Sequence, residues 1–403
     1  MRKRIAALVL TLALAGALGA PLRAADGATD ASSDGPLALD TLRQRMRAHY
    51  YPLLALEESI AIVEALDYDE LSEELREGLN TISSQEAAIA QIPIIGPFIG
   101  GAVSGQLQSQ YDALREQYDA IKNGKMQADN AGAVHQLRTL QDQTVMMGET
   151  LALTLAGLEQ QDAALTRTLD KLARTEREMT LRCEMGQISE LTLHQIATAR
   201  TQAASGQQTL RMNMENLRRQ LRAMTGLDED AALTLAPVPA VTQEQLAAMD
   251  EANDLARAEA ASYELYDAQK KRDDAEETYQ DAVKEYGALS TEYGFVSAQH
   301  TRRAAEYTYL GTVQNYELKF RTLYAQVKDD AQALAAARAA LGLQEASHRA
   351  AALKYEQGSI SHNALLDAAD ELADARDAAA TAERTLYTDY HRYEWAVERG
   401  ILN

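Results

Sequence analysis

The chain has 403 residues, a formal charge of −21 and one cysteine, Cys183. A single thiol excludes an internal disulfide. The acidic surface excludes nucleic acid as a partner, because it would repel a phosphate backbone and no basic stripe with interleaved aromatics offsets it.

In chain order, Arg2, Lys3 and Arg4 precede an apolar run from Ile5 to about Leu18 and a small-residue segment ending at Ala24. That pattern predicts a cleaved secretory signal over 1–24. The run is shorter than the roughly 20 residues a helix needs to span a bilayer. Its removal takes Arg2, Lys3, Arg4 and Arg23 with it and moves the formal charge from −21 to −25. Cys183 lies too deep in the chain to be a lipidated N-terminal cysteine and reads as inert.

All seven prolines fall at 21, 36, 52, 93, 97, 237 and 239, so 98–236 and 240–403 contain nothing that must break a helix. Both stretches are rich in Ala, Leu, Gln, Glu, Arg and Lys, strong helix formers that predict very long helices. Leu151, Leu155, Leu158, Leu165, Leu169 and Leu172 follow a 4-3 spacing with Asp162 in the open slot, a coiled-coil seam. A second seam runs through Leu365, Ala369, Leu372, Ala379, Leu386, Tyr390, Tyr393 and Val397, with Arg376 and Glu383 in its remaining slots.

A shift of 172 residues lays Leu181 to Ser189 on Leu353 to Ser361 and reveals an internal duplication. Each copy carries a glycine, Gly186 or Gly358, able to end one helix in the left-handed conformation. Three residues later Ser189 or Ser361 stands ready to cap the next. The chain is therefore expected to reverse at 186–189 and at 358–361, giving one long helical hairpin over 25–226 and another over 242–403. Pro237 and Pro239 lie in the linker, 227–241, and Thr242 and Gln245 have capping-box spacing after it. The first copy is about 30 residues longer by this spacing. The extra length is expected to include Ile89 to Gly105, an apolar segment that reads either as a buried connection or as a loop touching a membrane.

Twice the chain shows a glycine, then Ile-Ser, then an apolar Ala-rich helix, most clearly in Tyr355-Glu-Gln-Gly-Ser-Ile-Ser-His-Asn-Ala-Leu-Leu-Asp-Ala368. These corners resemble those of the TolC family of outer-membrane efflux proteins. The resemblance implies an exported homotrimer in the outer membrane or cell envelope, whose helices form a hollow cylinder. It further implies that the corner end meets a periplasmic adaptor coupled to an inner-membrane transporter. On that resemblance Gly186, Ile188, Ser189, Gly358, Ile360 and Ser361 are contacts at the tip, and Asp367 lies where the family has a constriction carboxylate. Ala364 stands where the family has a second carboxylate and Ile360 replaces a basic partner. Asp367 reads equally as a surface carboxylate favoured by the helix dipole.

The fold expected is all-α, two tandem long helical hairpins with any β-barrel segment short or absent. The family crosses its membrane with two β-hairpins, and the matching places here are 85–110 and 284–320. In the latter, Tyr307, Tyr309, Gly311 and Val313 alternate against Thr308, Leu310, Thr312 and Gln314 like a strand, while Tyr286, Leu289, Tyr293 and Val296 fit a helix. Strands would favour a passive efflux conduit. Continuous helix would favour a barrel-less extracytoplasmic scaffold or adaptor-binding protein. The seven histidines are scattered, and no metal spacing, nucleophile elbow, phosphate loop or calcium loop is present. No catalytic residue, metal or cofactor is expected.

Overall fold

The structure is a computed structural model that describes residues 36–90 and 96–402, with side chains except those of 89–104. The expected signal over 1–24 lies outside the described residues, as does the centre of the apolar Ile89–Gly105 segment. The described chain is all-α. Its sole departure is one parallel bridge between Leu37 and Leu235, where the Leu37 amide donates to the Thr234 carbonyl at 2.7 Å and ties the N-terminal segment to the linker.

Eleven helices are present among the described residues: α1 Leu39–His49, α2 Tyr51–Glu64, α3 Tyr68–Ala90, α4 Gly96–Lys122, α5 Lys125–Glu184 and α6 Glu190–Thr225. After the linker come α7 Gln243–Ala248, α8 Glu251–Ala261, α9 Tyr263–Tyr286, α10 Tyr293–Glu356 and α11 His362–Arg399. No helix among the described residues is long and apolar enough to cross a membrane. Two compact units divide the described chain, one of 52–141 and one of 36–51 with 142–402. These units cut the chain at other places than the bounds expected from sequence for the two hairpins, 25–226 and 242–403.

In the smaller unit α3 and α4 pack against each other. Asp67 opens α3 by accepting from the amides of Asp69 and Glu70 at 2.9 and 3.1 Å. Polar contacts hold the start of α5 on this unit: Asn130 Nδ2 donates to the Tyr68 hydroxyl at 2.9 Å and Gln141 Nε2 to Glu57 at 2.8 Å.

In the larger unit a core forms where α7, α8 and the start of α9 meet α10 and α11. Tyr316, Phe320, Val327, Leu386 and Ala396 are almost fully buried there. Burying side chains of the larger kinds contributes about 1.5–3 kcal/mol each. The helix ends follow local chemistry. Thr242 and Gln245 form the capping box that their spacing predicts, and Asp250 and Ser262 cap α8 and α9. Elsewhere α1 lies over α5 at Gly148, where an added Cβ would come within 2.4 Å of the Met46 sulfur.

The strand-like alternation at Tyr307–Gln314 is helical, lying inside the 64 residues of α10. Its partner across the turn is another helix, α9, and the side chains pair between them. Arg302 is 3.1 Å from Glu276, and the Arg272 guanidinium sits 4.6 Å from the Tyr309 ring centre. Thr308 and Thr312 donate their hydroxyls to carbonyls four residues earlier, a helical contact. The tyrosines between 263 and 324 divide between core and surface: Tyr293 and Tyr307 are exposed, whereas others pack. Tyr316 is buried with its hydroxyl donating to the Ala258 carbonyl at 3.0 Å, and Tyr324 packs beside Tyr393.

Candidate functional site: two matched corners on a four-helix layer

Both reversals occur where expected, and they are built alike. Gly186 and Gly358 have φ of 72° and 69°. Gln187 donates its amide to the Arg182 carbonyl at 2.8 Å while Gly186 donates to Cys183 at 2.9 Å; Ser359 and Gly358 repeat this to Lys354 and Tyr355 at the same distances. This double bond pattern closes a helix on a left-handed residue. Ser189 then accepts from the Thr192 amide at 3.3 Å and Ser361 from the Ala364 amide at 3.2 Å, opening α6 and α11. Ile188 and Ile360 are half-buried, while Gly186, Ser189, Gly358 and Ser361 are exposed.

An added Cβ at either glycine meets nothing within 4 Å, so glycine is required by backbone angle alone. Gly358→Ala is therefore expected to lower stability by about 1–2 kcal/mol, the cost of holding an L-residue in the left-handed region. Thermal unfolding would register that loss without a change in oligomeric state.

Behind the corners four helices lie side by side, and charged side chains set their order. Arg200, Arg211 and Arg218 of α6 reach Glu176, Asp162 and Glu159 of α5 at 2.7, 3.0 and 2.7 Å. On its other flank α5 places Gln160, Arg167 and Arg174 against Arg384, Asp377 and Asp370 of α11. Each step of seven along α5 is met by a step of seven backward along α11, so the two helices keep one antiparallel register. Arg338 of α10 reaches Glu383 of α11 at 2.9 Å and completes the order α6, α5, α11, α10.

The expected constriction residue, Asp367, is exposed in the second turn of α11. Its neighbour three residues on, Asp370, is instead taken up by Arg174 and by Lys171 at 3.9 Å. Apolar side chains are exposed around both corners, namely Leu181, Met185 and Leu191 at the first and Leu353 and Tyr355 at the second. Tyr355 packs on His362 across the second turn, ring centres 5.5 Å apart. Cys183, which occupies the place of Tyr355 in the first copy, is free and half-buried.

At the other end of the layer lies a charged cluster without a sequence-level forecast. Glu149 of α5 is fully buried; Arg43 Nε of α1 donates to its Oε1 at 2.9 Å, and His391 Nε2 and Trp395 Nε1 of α11 lie 2.8 and 3.0 Å from its Oε2. Burial would raise the Glu149 carboxyl, but hydrogen bonds and charge from His391 and Arg43 outweigh it and hold it below the usual carboxylate range. For His391 burial works downward, and Glu149 and Glu394 together overcome it, raising the imidazole to about 9. The cluster is a structural tie between three helices. The only sequence sign of it is His391 four residues before the sole tryptophan, one helical turn on the same face.

No protein-family model matches the chain, and no curated protein matches it. Among solved structures it is similar to the outer-membrane channel OprN, with a TM-score of 0.54 and 13% identity over 90% of each chain. It is also similar to the outer membrane protein VceC of Vibrio cholerae, with a TM-score of 0.52 and 11% identity over 90% of this chain and 96% of that one. A third is CusC, described in terms of transmembrane channel formation, with a TM-score of 0.50 and 14% identity over 90% and 96% of the two chains. At these identities the likeness is one of fold: this chain has the helical fold found in outer-membrane channel proteins.

Proposed function

We propose that the chain is a TolC-like conduit component of the cell envelope, one of three copies that close into a helical tube and pass small molecules outward without energy of their own. The observation that carries this reading is the open four-helix layer, whose two like-built corners stand at one end. Toward those corners the outer side of its edge helix α10 is left open to solvent. There Ala336, Ala339, Leu343, Ala346 and Ala350 are exposed at helical spacing, and Leu343 is 69% exposed. A small apolar stripe of this kind suits close approach of a helix from another copy. The exposed apolar residues around the corners suit an adaptor protein there, itself coupled to an inner-membrane transporter. In this reading Gly186, Ile188, Ser189, Gly358, Ile360 and Ser361 form the docking rim, and Asp367 faces the narrow end of the tube.

The helical state of the Tyr-rich distal segment favours a second reading, a barrel-less envelope scaffold with the same corners and no pore. Light scattering of the purified protein with and without detergent separates the two. The conduit predicts a trimer that requires detergent, and Leu343→Asp is expected to dissociate it with helix content unchanged, since burying an uncompensated carboxylate costs several kcal/mol, on the order of 3–5. In a bilayer conductance assay Asp367→Asn would then reduce cation preference. A monomer or dimer soluble without detergent would overturn the conduit and leave the scaffold.

A further inference from the structure

The second hairpin carries a pair of acids where an apolar pair would be expected. Asp330 of α10 is 8% exposed, and beside it on α11 lies Asp389, also mostly shielded from solvent. Gln326 Nε2 donates to Asp330 Oδ1 at 3.1 Å, but Oδ2 is buried with no donor facing it. Two carboxylate oxygens brought together in this way can bond only if one holds a proton.

The internal duplication supplies the comparison. With the 172-residue shift, Val327 and Tyr393 fall on Leu155 and Leu221, and all four are buried, so the two copies match in register here. The same shift lays Asp330 on Leu158 and Asp389 on Leu217. Where one copy has two half-buried leucines, the other thus has two carboxyl groups, which are costly to bury unless their charge is removed or shared.

We propose that Asp330 and Asp389 form a proton-operated clasp between α10 and α11, closed while the pair shares one proton and loosened when that proton leaves. The surroundings agree. On α10, Lys328 is turned away, its Nζ donating to the Leu246 carbonyl at 2.6 Å, and Asp329 adds further negative charge. On α11, Arg392 is 3.4 Å from Asp389 Oδ1. From α8, Asp254 is engaged by Tyr393 and Arg257, and Glu251 lies 3.8 Å from Arg321. None of these cations bonds to the orphaned oxygen.

Burial, then the contact with Asp389, raises the Asp330 carboxyl from the ordinary 3.8 to about 6. The folded chain then binds the proton more tightly than the unfolded one. This stabilisation is complete below pH 3.8 and is lost as pH rises through about 6. The clasp does not depend on whether the protein conducts.

The test compares the full chain with Asp330→Leu/Asp389→Leu, which copies the first hairpin, by hydrogen exchange at pH 5 and 7 corrected for intrinsic rates. Amides of 322–334 and 382–394 are expected to lose up to about tenfold of their protection in the natural chain at the higher pH, and to hold it in the leucine variant. Equal change in both would overturn the proposal. Should the leucine variant fail to fold, Asp389→Asn keeps the shape and supplies an amide donor. It is expected to abolish the pH step, and a full step persisting in that variant would overturn the clasp.

Discussion

Replacing Glu149 by alanine is expected to lower the unfolding free energy by about 3–5 kcal/mol near neutral pH, the range for removing one partner of a buried charged network. Arg43, His391 and the Trp395 indole all converge on this one carboxylate. With it gone, only Glu394, 3.7 Å from Nδ1, still favours the imidazolium against burial; once the proton is lost, Nε2, 3.1 Å from Trp395 Nε1, becomes an acceptor for the indole. That fallback makes the deficit depend on pH. In the natural chain the His391 contribution is complete below the ordinary 6.5 and is lost as pH rises through about 9. The Glu149 contribution is present above 4.5 and lost as pH falls through its lowered folded value. Urea unfolding of both proteins should therefore show the widest gap between about pH 4.5 and 6.5 and a narrower one above pH 9. A gap that stays constant across this span, or one under about 1 kcal/mol, would remove the network as a source of stability.

The second large effect is expected at the end of α11. Gly400 has a φ of 66°, and an added Cβ would lie 2.4 Å from both the Cα and the amide nitrogen of Ser262 and 2.6 Å from the Ala261 carbonyl carbon. These are backbone atoms at the junction of α8 and α9, where Ser262 is buried and caps the next helix, so they have no rotamer through which to withdraw. Gly400→Ala combines the left-handed penalty of about 1–2 kcal/mol with overpacking of about 1–3 kcal/mol. A loss on the order of 3 kcal/mol follows. Gly358→Ala shares the first cost and lacks the second. If urea titrations place the two variants within error of each other, the close approach at Ser262 is not what demands a glycine.

What could be read from the sequence was what neighbours in the chain decide. The corners need a residue at positive φ and a hydroxyl three positions later, and Gly186 with Ser189 and Gly358 with Ser361 announce both. The capping box at Thr242 and Gln245 is equally local. The last seam was legible from Leu372 onward, since Leu372, Ala379, Leu386, Tyr390, Tyr393 and Val397 become buried at that spacing, while its first members, Leu365 and Ala369, stay half-buried. The seam of α5 was only half legible: Leu155 is buried, but Leu158, Leu165, Leu169 and Leu172 are half-exposed, because long polar side chains span much of the gap to α6 and α11. Those pairings, like Glu149 with His391, join residues that are far apart in sequence, and no local pattern encodes them. The Tyr307–Gln314 segment fits periods of two and of 3.6 in so short a window. Pairing with α9 decides it, and that lies outside the window.

The two corners share a backbone and differ in side chains, which bears on counting. Tyr355 and His362 of the second corner correspond to Cys183 and Glu190 of the first, so an aromatic pair at one turn has a thiol and a carboxylate at the other. A ring of three chains would present six turns whose main chains repeat every 60° but whose side chains repeat only every 120°. A partner gripping main-chain atoms would find six equivalent seats and could fill them all. One that reads the aromatic pair would find three, and its stoichiometry would match the number of chains.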